Sequence, residues 1–441
     1  MEKVSLISLG CAKNLVDSEV MLGLLCKNGF NITTKESEAD IIIINTCCFI
    51  KEATKESLKT ISNILKNKNK IQKIIVTGCL VQRYGKDLVI KFPEIDAWIG
   101  VGEFYKISQV CRNLLRRKKI NKLLLSEPRF IYNEFIPRIL CTPSHTAYVK
   151  ISEGCDNRCF YCTIPFIKGN LRSRPIESIV KEVKNLGKIG VKEINLISQD
   201  TANYGVDLYG KPKIVELLKK LIKIEEIKWI RLLYLYPSHI SDKLIDLIAG
   251  SNKICKYIDM PLQHIDDEIL RLMGRKYTFN DINNLIKKIR RKIPGVTLRT
   301  TFIVGYPGET DEKFQKLVEF VKKVRFNKLG VFMFSKEEGT IASSLDNQVS
   351  NKNKKYRRDI IMKLQQKISF ELNKLKIGKK VSVIIDRINK NILIGRTQGD
   401  ALDVDGKVYV TYKDCRSVNL GDFINVNITS AYPYDLEGEI L

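Results

Sequence analysis

The stretch SEGCDNRCFYCTIPF, residues 152–166, sets Cys155, Cys159 and Cys162 at spacings of four and then three. Thiols this close along a chain share one ligand, and three is an unusual number of them. A structural zinc site closes with four ligands, whereas an iron–sulfur cubane held by three thiolates keeps one iron open for a further ligand. A zinc site would need Cys141 or His145 as its fourth ligand, and neither has finger-like spacing. A thioredoxin-like pairing of Cys159 with Cys162 leaves Cys155 without a role.

The loop follows the apolar run TAYVKIS, and five further runs succeed it: EINLISQD, WIRLLYL, YIDMPLQ, VTLRTTFIVGY and LGVFMFS. Helical stretches such as IESIVKEVKNLGKIG and DEKFQKLVEFVKKV separate them. Six strand–helix units over residues 140–370 predict a partial (β/α)6 barrel with its chemistry at the carboxyl ends of the strands. The three-cysteine loop lies at that face.

Residues 1–125 repeat a simpler pattern, in which KVSLISLG leads to Cys11, ADIIIINT to Cys47 and IQKIIVTG to Cys79. Short apolar runs alternating with helices predict a parallel sheet covered on both faces. Ligands of such sheets collect beyond the carboxyl ends of the strands, so Cys11, Cys47 and Cys79 are expected to converge. Cys48 leaves the choice at that strand end open, because neighbours on an extended segment point opposite ways. Cys26, Cys111, Cys141, Cys255 and Cys415 read as small buried hydrophobes. After the polar helix NKNKKYRRDIIMKLQQKISFELNKL, residues 374–441 break into short strands between Gly, Asn and Asp turns, a small all-β barrel. The expected fold class is α/β with three parts: parallel-sheet domain, partial barrel and terminal β barrel.

Composition narrows the function. A hydrophobic fraction of 44% in 441 residues supports several cores and excludes disorder. No run approaches the roughly 18 apolar residues of a membrane span, and the start, MEKVSLISLGCAKN, lacks a secretory leader. A cytoplasmic protein without membrane association is expected. Twelve cysteines against three histidines make thiolate the ligand on offer. The net charge of +26 suits nucleic acid, but equally a surface of solvated lysines. From Lys376 onward nine Lys or Arg balance nine Asp or Glu, so the terminal barrel is neutral. A neutral barrel with acidic stretches such as QGDALDVDG suits a basic protein partner better than an RNA backbone.

Cys-x3-Cys-x2-Cys after the first strand of such a barrel, with Tyr161 before the last cysteine, resembles the radical S-adenosylmethionine (SAM) enzymes. The whole chain resembles their methylthiotransferases, through SLGCAKNLVDSE, NTCCFI, SEGCDNRCFYC, RSRP, SQDTANYGVD, IDMPLQH and RTTFIVGYPGET. The terminal β domain resembles the TRAM module. CAKNLVDSE marks the subgroup acting on an aspartate of ribosomal small-subunit protein twelve; tRNA-modifying relatives usually carry a CQMN-like string there.

The resemblance implies a [4Fe–4S] cluster on Cys155, Cys159 and Cys162 whose open iron takes SAM and cleaves it to a 5′-deoxyadenosyl radical. It implies a second [4Fe–4S] cluster on Cys11, Cys47 and Cys79 that presents the sulfur. The asparagine–threonine–cysteine string selects Cys47 over Cys48, where the subgroup often has glycine. Tyr161 and Gly305 are expected beside SAM; a turn accounts equally well for Gly305 and Gly308. Glu153, Gln199 and Asp200, at strand ends, are further candidates for contact with cofactor or substrate, while Arg172 and Arg174 suit an acidic group or, equally, a surface role. An electron donor and a sulfur source are required partners. A tRNA-base methylthiotransferase and a non-catalytic zinc-dependent RNA-binding protein are the competing readings.

Overall fold

The computed structural model describes residues 2–69, 71–389, 391–411 and 418–441, so Cys415 lies outside the described residues. Its chain order opens with β1 (Lys3–Ser8), α1 (Ala12–Lys27), β2 (Asn31–Ile32), β3 (Ile41–Thr46) and α2 (Lys51–Asn67). There follow β4 (Lys73–Gly78), α3 (Cys79–Lys91), β5 (Ala97–Ile99), α4 (Ile107–Leu115) and β6 (Leu123–Leu124). All pairings are parallel, in the order β2-β1-β3-β4-β5-β6. The central strand β3, IIIINT, is buried at every position, which suits β-branched residues covered on both faces. Ile41 and Ile43 pack into the layer of α1 and α4, Ile42 and Ile44 into that of α2 and α3.

The central part begins with β7 (Thr146–Lys150), β8 (Ser152–Glu153), α5 (Ile164–Lys168), β9 (Arg172–Ser173), α6 (Ile176–Lys188) and β10 (Glu193–Ile197). It continues through α7 (Val206–Tyr209), α8 (Ile214–Leu221), β11 (Trp229–Leu232), α9 (Asp242–Gly250), β12 (Tyr257–Asp259) and α10 (Asp267–Leu272). It closes with α11 (Phe279–Lys292), β13 (Thr297–Val304), α12 (Asp311–Val324) and β14 (Lys328–Met333). All six expected strands are present, and every pairing among them is parallel. They form two three-stranded halves, joined where Cys255 N–H donates to Ile230 O at 3.0 Å and Leu235 N–H to Asp259 O at 2.9 Å. The helices bury one stripe each; in α6 it is Ile176, Ile179, Val183 and Leu186, at helical spacing.

The polar helix α13 (Asn351–Lys374) is no solvated rod. Lys354 donates to Phe334 O at 3.0 Å and Gln365 to Phe326 O at 2.7 Å, while Arg357 pairs with Glu309 at 2.8 Å. Its polar side chains thus satisfy carbonyls and a carboxylate at the barrel wall, which is how so polar a sequence is held against a core. The strands β15 (Lys380–Asn389), β16 (Ile392–Arg396), β17 (Val408–Thr411), β18 (Phe423–Ala431) and β19 (Leu436–Ile440) then close into the expected small barrel, in the order β15-β16-β17-β19-β18.

The terminal barrel stoppers the central one. Its loop after β16 lies across the amino ends of the central strands: Gln398 O accepts from Arg231 at 2.6 Å, Leu402 O from Tyr148 OH at 3.2 Å and Asp405 from Tyr257 OH at 2.7 Å. Asp400 pairs with Lys328 at 2.6 Å, and Arg396 with Glu193 at 2.7 Å. The stretch QGDALDVDG, expected to face a basic partner, therefore spends Asp400 and Asp405 inside the molecule and leaves Asp403 exposed. Counting charges along the sequence missed this because orientation decides which of them reach a partner. Among the cysteines read as buried hydrophobes, Cys111 and Cys255 are buried, but Cys26 and Cys141 are exposed.

Candidate functional site

Cys11, Cys47 and Cys79 come together as the sheet requires. Gly10 and Gly78 each precede a cysteine and take φ of +92° and +99°, a left-handed turn that glycine adopts without strain. A Cβ on Gly10 would lie 2.6 Å from Cys47 Cβ and 2.9 Å from its Sγ, so only glycine brings the two segments this close. Ser57 fixes the third member: its hydroxyl accepts from Cys47 N–H at 3.1 Å and donates to Cys47 O at 2.8 Å. The three thiols lie near enough to act on one another electrostatically, and burial raises those of Cys47 and Cys79. Cys48 sits in the apolar layer with Ile44 and Val81, where burial, then Cys47, pushes its thiol up to about 12.

The second triad is built by its own loop. Cys155 N–H donates to Gly169 O at 3.1 Å and Cys162 N–H to Cys159 O at 3.0 Å. Asp200 anchors the loop, accepting from Asn157 Nδ2 at 2.9 Å and hydrogen-bonded to His239 Nδ1 at 2.6 Å. Burial pushes Cys155 up to about 11 and Cys162 up to about 12, and the thiols act on one another here too. Arg275, which the sequence did not single out, directs Nη1 to Cys159 Sγ at 3.4 Å and Nη2 to Pro261 O at 2.8 Å. Its guanidinium stacks on Tyr236 at 4.1 Å.

The elements that carry the two triads are in contact. Helix α3, opening at Cys79, packs against α5, which follows Cys162. Between them a buried network joins the domains: Lys150 bonds Asp17 and, at 2.5 Å, Glu153, and Lys168 pairs with Asp17 at 3.0 Å. Gln199 donates to Glu153 at 2.9 Å. Lys168 also acts electrostatically on Cys79 and Cys47. Lys13, two residues past Cys11, extends toward the barrel mouth, where its ammonium lies 3.7 Å from the centre of the Tyr234 ring.

The other sequence candidates divide. Glu153 and Gln199 belong to that interdomain network, and Asp200 holds the cysteine loop. Arg174 is buried, paired with Glu182 at 2.5 Å and stacked on Tyr132 at 4.2 Å, a core role rather than an anion site. Arg172 donates to Asn170 O and Lys168 O, at 2.9 and 3.0 Å. Tyr161 stands edge-on to Tyr306, ring centres 6.4 Å apart. Gly305, beside Tyr306, has φ of +70°, and its open side is taken by Lys354. His145, weighed as a zinc ligand, pairs with Asp386 at 2.9 Å, at the opposite end of β7 from the cysteine loop.

Among the described residues no group of three or more His, Cys, Asp or Glu side chains has the convergence that one metal ion demands. A single ion draws thiolates to about 2.3 Å from a common centre, whereas a cubane spreads its thiolates over separate irons. Two triads of thiols, those of each triad in electrostatic reach of one another, fit the larger group. Thiols held this high are protonated near neutrality and become ligands by releasing protons to solvent as iron binds.

Comparison with known proteins places these features. Residues 149–321 match the radical SAM superfamily, residues 3–100 the uncharacterized protein family UPF0004 and residues 377–441 the TRAM domain. The radical SAM methyltransferase TsrM from Kitasatospora setae shares the fold at a TM-score of 0.55 and 16% identity, covering 75% of this chain and 73% of that one. The ribosomal protein uS12 methylthiotransferase RimO of Clostridioides difficile is 48% identical over 444 residues, 100% of this chain and 99% of its own length. That of Desulforamulus reducens is 48% identical over 449 residues, the full length of both. At that identity over its whole length, the chain belongs to the family of ribosomal protein uS12 methylthiotransferases, a family of radical SAM enzymes.

Proposed function

We propose that this enzyme methylthiolates ribosomal protein uS12 on one aspartate, at its β-carbon, using SAM and two [4Fe–4S] clusters. The observation that carries the reading is a pair of thiol triads on elements that pack against one another, α3 on α5. Cys155, Cys159 and Cys162 would hold the cluster that meets SAM, and Cys11, Cys47 and Cys79 the one that presents sulfur. A cluster with SAM supplies one-electron cleavage of a sulfur–carbon bond, which reaches a carbon–hydrogen bond that no side-chain base can ionise. The chain's own residues do the positioning. Asp200 and Asn157 set the SAM-side loop, Tyr161 and the Gly305 strand end flank it, and the Asp17–Lys150–Lys168–Glu153 network fixes the distance between the triads.

Residues 1–125, 140–370 and 374–441 are taken as the three functional parts. The compartment is taken as the cytoplasm; among the described residues no helix is long and apolar enough to cross a membrane. An electron donor and a sulfur source complete the system.

The test is mass spectrometry of uS12 and of bulk tRNA after anaerobic incubation with reductant and SAM. A methylthio group on one uS12 aspartate is expected; one on tRNA alone would promote the tRNA-base reading. Iron and sulfide of about eight atoms each per chain are expected. Zinc on a colourless protein would instead favour the RNA-binding reading.

A further inference from the structure

Lys13, two residues past Cys11, stands at the barrel mouth and among the described residues has no carboxylate partner. Its ammonium lies 3.7 Å from the centre of the Tyr234 ring and donates to Ser198 O at 3.4 Å, and among the described residues it forms no ion pair. The nearby acids are already matched. Glu153 is taken by Lys150 at 2.5 Å and Asp259 by Arg299 at 2.8 Å. An ammonium in a partly closed site, held by a ring face and one long hydrogen bond, keeps unused donors and an unneutralised charge.

Its platform is built at a cost. Tyr234 has φ of +61°, a conformation that bulky side chains rarely adopt, and Asp259 holds it there by accepting from its N–H at 3.0 Å. The turn presents the aromatic face to Lys13 at the carboxyl end of the β11 segment. Strain of this kind is kept where a side chain must be aimed.

We propose that Lys13 is the specificity residue for the substrate, binding the carboxylate of the aspartate to be modified. The inference rests on the uS12 reading above and assigns the part of the site that recognises the target side chain. Holding that carboxylate fixes the adjacent β-carbon between the two triads, so that one residue supplies both selection and aim. The occupant is an acidic side chain of a protein; a neutral nucleobase would leave the ammonium uncompensated.

A double-mutant cycle on the reconstituted holoenzyme tests this, with full-length uS12 and its target Asp→Asn variant as probes and dissociation constants as the readout. The wild-type enzyme should bind the Asp form at least roughly tenfold more tightly than the Asn form. Lys13→Gln should reduce that ratio to within about twofold, and Lys13→Arg should restore part of it. An unchanged Asp/Asn ratio in Lys13→Gln would overturn the proposal while the uS12 reading stood. So would a loss of SAM affinity with the ratio intact, which would make Lys13 an anchor for the cofactor's carboxylate. Loss of about four irons from Lys13→Gln would make it a support of the second cluster, again against the proposal. Failure of the wild-type enzyme to bind uS12 at all would remove the reading beneath it.

Discussion

The two cysteine triads are assembled by opposite routes. Cys155, Cys159 and Cys162 come from a single loop tied by its own backbone bonds and by Asp200. Cys11, Cys47 and Cys79 come from three strand ends, and meet only after β1, β3 and β4 have paired in register. The first site is a local property of the chain, and the second is a property of the fold. Perturbations should therefore act on them differently.

The largest separation is expected from paired triple variants. Replacing Cys155, Cys159 and Cys162 with Ala should abolish SAM cleavage and leave about four irons per chain, on the other triad. Replacing Cys11, Cys47 and Cys79 should also leave about four, but with SAM cleavage retained and methylthiolation lost. Full methylthiolation in the second variant would break the two-site comparison.

A subtler change should reach the dispersed triad alone. In Gly10→Ala the new Cβ would lie 2.6 Å from Cys47 Cβ, on a backbone at φ of +92°. Iron content should fall toward one cluster while SAM cleavage persists.

Proton release sharpens the comparison further. Cys155 and Cys162 are pushed up to about 11 and about 12, so each gives up a proton when iron binds at neutral pH. The bound state carries fewer protons, so loading strengthens as pH rises and weakens as it falls. For two thiols the change is about hundredfold per pH unit below their pKa values. Iron-binding titrations of the variant lacking Cys11, Cys47 and Cys79, at pH 7 and 8, measure it directly.

The smallest effect should come from Cys48. Cys48→Gly removes a side chain from the apolar layer of α2 and α3 and should cost about 1–2 kcal/mol of stability, with both clusters kept. Cys47→Ala should instead lose the second cluster. Equal iron loss in both variants would mean that this strand end offers its two thiols interchangeably.

How much of this was legible follows the same division. The loop triad could be read from spacing, and the dispersed one from the rule that parallel strands collect ligands at their carboxyl ends. Arg275 was not legible, because its contact with Cys159 joins residues 116 positions apart through the turn that ends α10. Arg174 was misjudged because an arginine in a loop-like string gives no sign that Glu182, one helical turn pair away, will bury it. The acidic stretch of the terminal barrel was misread for the opposite reason: composition was clear, but its direction was not.

That stretch has a consequence for the order in which the molecule is made. The floor of the central barrel, with Arg231, Glu193, Tyr257 and Lys328, receives further partners from residues 396–405. A ribosome makes those residues only after the whole of the central barrel. Both triads can thus be assembled on a nascent chain whose reaction chamber still has an open base, which residues 396–405 seal afterwards.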